Sequence, residues 1–482
     1  MSARPSVVVV GGGIAGLAAA WELSGGQDGP SATTPRIEVI EATDRLGGPL
    51  VSGDLAGRVI DLGPDGFLAR RPEAVTLVTE LGLGDQLEAI DASGAWIWLK
   101  GVLEALPAGT VQGVPTNTAS IKALRGLSRS ARWATWRDLH IPRKLKVTED
   151  VSIGSILRTK LGSEITYQLI EPLVGGIQAG RVDELSAAAV FPALYDAAQR
   201  GGSLMKGLAA GTGATGPVAQ RVLGPLFMTL RGGVGSMIVE LGGQLRERGV
   251  VVRTSTVVTA LRPTPSGLYP WEVDTVATTT GAGAVVLATP APVAGQLAGA
   301  VSDALMRLHS VDSAGATMVT FVFHESDTTL PPTGTGVLVP LATAWNNDIM
   351  MTTALTFLDR KWAHLRREGE ILVRAHVGRI DDRRSDVMTD DALVERVQRE
   401  ITTLLTRVGT PVAVRVQRWP QGLPQYYVGH NELVARARDA LSPHAIRLAG
   451  NAYDGVGIPA SIGSGRRAAR EVLDLLAASQ SN

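Results

Sequence analysis

The chain has 482 residues, too long for one compact core, so two or three domains are expected. Hydrophobic residues make up 45% and charged ones 19%, an ordinary globular balance, and 46 basic residues offset 46 acidic ones, which argues against a general affinity for nucleic acid or anionic surfaces. There is no cysteine, which excludes disulfides, thiolate metal sites and a flavin tethered through sulfur and fits a reducing compartment; the seven histidines show no metal-ligand spacing.

Residues 7–10 are four valines, a β-branched run that predicts a strand. Gly11, Gly12, Gly13, Ile14, Ala15 and Gly16 follow at once, and the alanine-rich run at 18–23 reads as helix. A second apolar strand at 37–40 ends in Glu41. Strand, glycine turn, helix, strand and acid form the fingerprint of a dinucleotide site. Gly11 allows the tight turn, Gly13 admits a pyrophosphate against bare backbone, and Gly16 lets helix and strand pack closely. The helix N-terminus holds the phosphates, and Glu41 accepts from a ribose hydroxyl. The Gly, Ser, Thr and Pro of residues 25–35 predict an enlarged loop before the second strand. Arg4 ahead of the valines superficially matches a signal peptide, but cleavage there would discard the fingerprint.

Ala42, Arg45, Gly47 and Gly48 come directly after Glu41 and supply a second close backbone approach, as flavin enzymes use. Gly63, Pro64, Asp65 and Gly66 make a tight backbone suited to passing beside a flat ring; an ordinary turn reads equally well. Residues 91–115 predict short strands and 118–210 a helical region. Residues 121–146 are basic. Arg125, Arg129 and Arg132 fall at spacings that share a helix face, Arg143, Lys144 and Lys146 follow, and Trp133 and Trp136 lie among them. A solvated basic face is the plainer reading; contact with a membrane surface or a partner protein is the other. Residues 211–216 read as a glycine-rich connection.

An amphipathic helix opens after residues 230–237 and runs to 248, with strands at 250–254, 257–261 and 285–289. This alternation indicates that the nucleotide domain resumes. The uncharged stretch 281–301 has membrane-span length, but Pro290 and Pro292 break it into strand, turn and helix start. Residues 314–440 mix strands at 317–323, 371–377 and 412–416 with one helix at 390–408, an α+β pattern that ends around Trp419 and Pro420. A strand from 446, the glycines up to 457 and a helix at 462–476 make a further anion-and-ring cradle.

Together these segments resemble the flavin-dependent porphyrinogen oxidases along nearly the whole chain. The resemblance rests on the N-terminal fingerprint with residues 45–48 (Arg-Leu-Gly-Gly) and on 62–67 (Leu-Gly-Pro-Asp-Gly-Phe). It rests also on 171–177 (Glu-Pro-Leu-Val-Gly-Gly-Ile) with Leu185-Ser186 and Phe191-Pro192, on 230–233 (Leu-Arg-Gly-Gly), on 419–429, and on Gly450-Asn451 with 455–459 (Gly-Val-Gly-Ile-Pro). The first and last motifs are shared with amine oxidases and phytoene desaturases; the middle ones are particular to porphyrinogen oxidases. The resemblance implies an α/β plus α+β fold of the amine-oxidase type. Its Rossmann-type FAD-binding domain would comprise 1–70, 226–300 and 441–482, its mixed-sheet substrate domain 71–115 and 301–440, and its helical cap insertion 116–225. It places FAD on Gly11, Gly12, Gly13, Ile14, Ala15, Gly16, Glu41, Ala42, Arg45, Gly47, Gly48, Gly63, Pro64, Asp65, Gly66, the backbone of Val258, Trp419, Gly450, Val456, Gly457 and Ile458. It places a substrate propionate on Arg71. Three departures stand out: Pro49 replaces a basic or polar residue, Gln178 an aromatic, and Ala460-Ser461 an acid and a cysteine.

The implied reaction is oxygen-dependent, six-electron oxidation of coproporphyrinogen III to coproporphyrin III with hydrogen peroxide formation, in the cytoplasm. Ferrochelatase or a membrane surface would be transient contacts, and nucleic acid no partner. Protoporphyrinogen IX oxidation is the nearest alternative. An amine oxidase, a carotenoid desaturase or a flavin-free binding protein on this scaffold are others; residues 171–192 oppose the first two and the intact glycines the third. Because the flavin carries the redox chemistry, no side chain is nominated as catalytic and no metal site is expected.

Overall fold

The computed structural model describes residues 5–92, 94–211, 225–264 and 268–480. The expected glycine-rich connection at 212–216 lies outside them, and Gly211 itself closes a helix, Leu204–Gly211. The valine run becomes strand Ser6–Val10, wholly buried at the centre of a five-stranded parallel sheet. A strand covered on both faces needs no polar alternation, which accounts for valine throughout. Arg36–Ile40 and Val251–Arg253 extend the sheet on one side, Ala284–Leu287 and Ile446–Leu448 on the other. Five strands from three distant stretches of chain therefore share one sheet, with a hydrophobic core on each face.

Helix Ile14–Leu23 covers that sheet, and the C-terminal helix Ile458–Gln480 packs along it. Glycine permits their closeness. A Cβ on Gly16 would stand 1.9 Å from the Gly11 carbonyl oxygen, and one on Gly465 would stand 2.0 Å from that of Ala15. The buried Trp21 donates Nε1 to Glu80 Oε2 at 2.8 Å, Glu80 also holds Arg466, and Arg248 lies 3.5 Å over the indole. The C-terminal helix begins four residues earlier than the sequence predicts, because Pro459 sits in the first turn, where no N–H is missed.

A second, seven-stranded sheet runs in the order Ala413–Pro424, Ser313–His324, Glu370–Val377, Thr352–Phe357, Gly336–Leu338, Trp96–Leu99 and Val102–Ala105. One face is apolar, with Val319, Phe321, Phe323, Val373 and Phe357 packed against helix Asp390–Leu404. Three expectations change here. That helix stops at Leu404, not 408. The strand expected at 412–416 continues to Pro424, so Trp419 and Pro420 lie inside a strand rather than at a domain end; it is an edge strand, where proline is tolerated. A second helix, His430–Leu441, follows it.

The helices between Thr118 and Gly211 share a separate core around Ile156, Leu157, Leu169, Phe191 and Leu194, which reaches Ile97 and Leu99 at the sheet edge. The basic helix is shorter than its charge pattern suggests. It begins at Arg129, and Arg125 precedes it in a turn. Arg132 points inward, its Nε, Nη1 and Nη2 donating to the carbonyls of Leu127, Ile121 and Leu124. It satisfies carbonyls freed at the end of the short helix Thr118–Lys122, so the three arginines do not share a solvated face.

Candidate functional site

The parallel sheet sends its glycine turns out at the carboxyl ends of its strands, where open α/β sheets bind ligands. Gly11 leaves the first strand at φ +105°, and a Cβ there would meet the Ala288 carbonyl oxygen at 2.4 Å. Gly12 N donates to Glu41 Oε2 at 2.7 Å, and Thr43 N and Oγ1 donate to Glu41 Oε1 at 2.8 and 2.7 Å. The fingerprint turn and the acid thus fix each other, and the carboxylate keeps lone pairs for further donors. Gly13 caps its helix without a side-chain hydrogen bond, which leaves first-turn N–H groups unclaimed by a cap. A Cβ on Gly13 would meet nothing within 4 Å.

Three further stretches close on this turn. Gly47 pairs beside Gly13, and its N–H donates to the Gly12 carbonyl at 2.8 Å. Arg45 donates Nη1 to the Gly48 carbonyl at 2.6 Å and lies 5.5 Å over the Trp419 ring, whose Nε1 donates to the Leu62 carbonyl at 2.9 Å. Gly63 passes so near the Pro49 carbonyl that a Cβ would stand 2.1 Å from its oxygen. Ser255 N and Thr256 N donate to the carbonyls of Thr43 and Glu41, which brings the segment leading to Val258 against Glu41 and Ala42.

The second glycine turn follows strand Ile446–Leu448. Gly450 (φ +130°), Gly455 (φ +111°) and Gly457 (φ +105°) adopt left-handed backbone, and Cβ atoms on Gly450 or Gly457 would meet nothing within 4 Å. The Tyr426 hydroxyl ties this turn to the second sheet, donating to the Asn451 carbonyl and accepting from Gly455 N at 3.1 Å. Val456 is half-buried and Ile458 is buried at the helix start. Open glycine cradles, a helix start with unclaimed N–H groups and an acid placed for a ribose fit a dinucleotide. Backbone supplies most of that surface.

The face of the second sheet opposite its apolar core is built from side chains. Cross-strand pairing puts Arg374 beside Thr320 and Thr356, and His376 beside Met318 and Ala354; Gln417 pairs with Met318 on the same face. Arg374 donates to the carbonyls of Asp61 and Gly63 and, from Nε, to Thr320 Oγ1 at 3.1 Å. The face therefore abuts the 61–65 segment. His376 Nε2 lies 2.9 Å from Thr356 Oγ1, and burial together with the Arg374 charge pushes the imidazole down to about 4. The helix Glu171–Gln178 packs on strands Thr352–Phe357 and Gly336–Leu338 and is clamped there. Gln425 Nε2 donates to the Gln178 carbonyl at 2.7 Å, Ile380 N to that of Ala179 at 2.8 Å, and Arg181 bridges Glu171 and Asp381. Burial raises the Glu171 carboxyl against the pull of Arg181.

Two of the expected ring contacts have other partners. The Asp65 carboxylate meets Lys361 Nζ at 2.9 Å and Trp362 Nε1 at 2.9 Å. Burial alone would raise it, but Lys361 and Arg374 outweigh that and hold it well below the usual carboxylate range. A Cβ on Gly66 would stand 2.7 Å from the Trp362 ring, so this glycine answers a packing need. Pro64 is exposed. Arg71 is exposed at the start of helix Pro72–Glu80, its guanidinium 2.9 Å from Glu73. Sequence reasoning missed Arg374, His376 and Lys361. A signal existed in Ile-Leu-Val-Arg-Ala-His-Val at 371–377, where two polar residues at spacing two interrupt an apolar strand and so share a face.

Residues 14–473 match the profile of the flavin-containing amine oxidoreductases. The chain is 31% identical over 479 residues to coproporphyrinogen III oxidase of Bacillus subtilis, covering 98% of this chain and 99% of that one. It is 28% identical to human protoporphyrinogen oxidase over 97% of this chain and 98% of that one. A crystal structure assigned to a protoporphyrinogen oxidase of Exiguobacterium sp. 255-15 superposes with a TM-score of 0.83 at 30% identity, over 98% of this chain and 99% of that one. The chain thus belongs to the flavin-containing amine oxidoreductase family.

Proposed function

We propose that this enzyme oxidises coproporphyrinogen III to coproporphyrin III, with FAD as its flavin and oxygen as the final acceptor. One observation carries the reading: end-to-end likeness to coproporphyrinogen III oxidases, on a chain whose glycine cradles open beside a polar sheet face. FAD, when bound, supplies hydride acceptance and reoxidation by oxygen. Six electrons leave the porphyrinogen in three rounds, each yielding one hydrogen peroxide.

The chain's own residues bind and orient. Glu41 would accept from the adenosine ribose, Gly13, Gly47 and Gly48 would admit the pyrophosphate against bare backbone, and the turn from Gly450 to Ile458 would border the ring. The segment from Gly63 and the indole of Trp419, which donates to the Leu62 carbonyl, would separate the cofactor from the sheet. A substrate with four carboxylates calls for arginine, and Arg71 is the candidate for one propionate once it exchanges its Glu73 partner. The full-length match to human protoporphyrinogen oxidase keeps protoporphyrinogen IX as the second reading. No helix among the described residues is long and apolar enough to cross a membrane, and the proposed site of action is the cytoplasm.

Turnover of the two porphyrinogens in parallel tests the assignment. The purified protein should be yellow, bleach when coproporphyrinogen III is added without oxygen, and turn that substrate over faster. Faster turnover of the dicarboxylate would transfer the assignment to the second reading. A colourless protein that cannot be reconstituted with FAD would remove both.

A further inference from the structure

The short segment after the edge strand Ala413–Pro424 touches three regions of the molecule at once. Gln425, Tyr426 and His430 are all buried there. Gln425 grips the helical region. Its Nε2 donates to the Gln178 carbonyl, at the end of the helix that packs on strands Thr352–Phe357 and Gly336–Leu338. The fit is close: a Cβ on Gly180 would stand 2.1 Å from Gln425 Oε1. The following backbone continues the contact. Ser186 N donates to the Tyr426 carbonyl at 2.8 Å and Val428 N to that of Glu184 at 3.2 Å. Asp150 accepts from Gly429 N at 2.9 Å and from Ser186 Oγ at 2.7 Å.

The side chains of Tyr426 and His430 reach the other way, to the glycine turn after strand Ile446–Leu448. The Tyr426 hydroxyl uses both of its capacities, donating to the Asn451 carbonyl and accepting from Gly455 N at 3.1 Å. His430 Nε2 lies 2.9 Å from the Ala452 carbonyl, and the two rings stack at 4.1 Å. Burial raises the phenol well above its usual range, so it remains a donor at any working pH. The left-handed glycines at 450, 455 and 457 give this turn no side chain to fix its shape. What binds its backbone from outside therefore sets it. Ser464 holds Gly450 N, and Arg438 and Arg467 hold the Asp454 carboxylate. Asn451, Ala452 and Gly455 are held by Tyr426 and His430.

We propose that Tyr426 is a positioning residue that sets the flavin-bordering turn relative to the helical region, so that a porphyrin seated against helix Glu171–Gln178 is felt at the flavin through Gln425 and Tyr426. The inference rests on the reading of Gly450–Ile458 as the border of the flavin ring. Gln425 and Tyr426 are neighbours in the chain and grip opposite partners. A shift of the helix strains one set of hydrogen bonds unless the turn follows, and packed hydrogen-bonded networks of this kind carry coupling between sites. By linkage, porphyrin should then alter flavin affinity, and flavin the affinity for porphyrin, by the same factor.

Flavin released from the holoenzyme on dilution, measured with and without coproporphyrin III, tests this. Porphyrin should change flavin retention by the wild-type protein about fivefold. Tyr426→Phe keeps the ring and removes only the hydroxyl. It should weaken flavin retention about tenfold and reduce the porphyrin effect to less than twofold. Gln425→Met cuts the helix side and leaves the turn contacts, so it should retain flavin as the wild type does and still lose the porphyrin effect. A purely structural role for the segment would not move that second readout. Should Tyr426→Phe fail to fold, Gln425→Met decides the matter. Unchanged flavin retention in folded Tyr426→Phe, an unchanged porphyrin effect in Gln425→Met, or no porphyrin effect in the wild type overturns the proposal alone. A wild-type protein that holds no flavin at all overturns the flavin-border reading and this proposal with it.

Discussion

The glycine cradle and the sheet face beside it are built on opposite principles. At Gly13, Gly450 and Gly457 the working feature is the side chain that is missing, since each faces open space. At Arg374, His376 and Lys361 it is the side chain that is present, held by Asp61, Thr356 and Asp65. Backbone cradles are written in a short motif and survive wide divergence elsewhere. A side-chain face depends on register between strands tens of residues apart.

The sharpest test separates glycines needed for packing from glycines needed for the ligand. Gly16→Ala or Gly465→Ala forces a Cβ to about 2 Å from a carbonyl oxygen, and should destabilise by about 3 kcal/mol or more and abolish flavin retention. Gly13→Ala meets nothing within 4 Å, so apoprotein stability should stay within about 0.5 kcal/mol while flavin affinity falls at least tenfold. Denaturant melts of apoprotein beside flavin titrations check both; equal behaviour of the two substitutions would dissolve the distinction.

On the sheet face, pH is the probe. The His376 imidazole is held near 4 in the fold against an ordinary 6.5, so its contribution is complete above 6.5 and is lost as pH falls toward 4. The loss should reach up to about 3 kcal/mol. His376→Gln, which can keep the Thr356 contact, should flatten the stability profile across that window. Arg71→Ala should raise KM for porphyrinogen about tenfold, an effect of ~1.4 kcal/mol, and leave kcat nearly unchanged. The smallest effect belongs to the wall between the two regions. Trp419→Phe removes the hydrogen bond to Leu62 and weakens the Arg45 contact, and should lower stability by about 1 kcal/mol.

The sequence by itself determined the parallel-strand core, the two glycine turns and the acid, Glu41, at the end of the second strand; that Gly12 N donates to that acid only the structure shows. These rest on local rules: four valines for a doubly covered strand, glycine where a Cβ would strike a carbonyl, and an acid at the end of the next strand. It left Arg132 on the wrong side of its helix, since only the packed structure shows the three carbonyls it serves. It could not separate Gly63, pressed against Pro49, from Gly66, pressed against Trp362, because both read simply as glycines of one turn. Arg374 and His376 came to share a polar face with Thr320 and Thr356 only when strands from 313, 352 and 370 paired in register. Local spacing encodes turns and periodicity, whereas which side chains meet across a sheet is decided by the tertiary fold that aligns them.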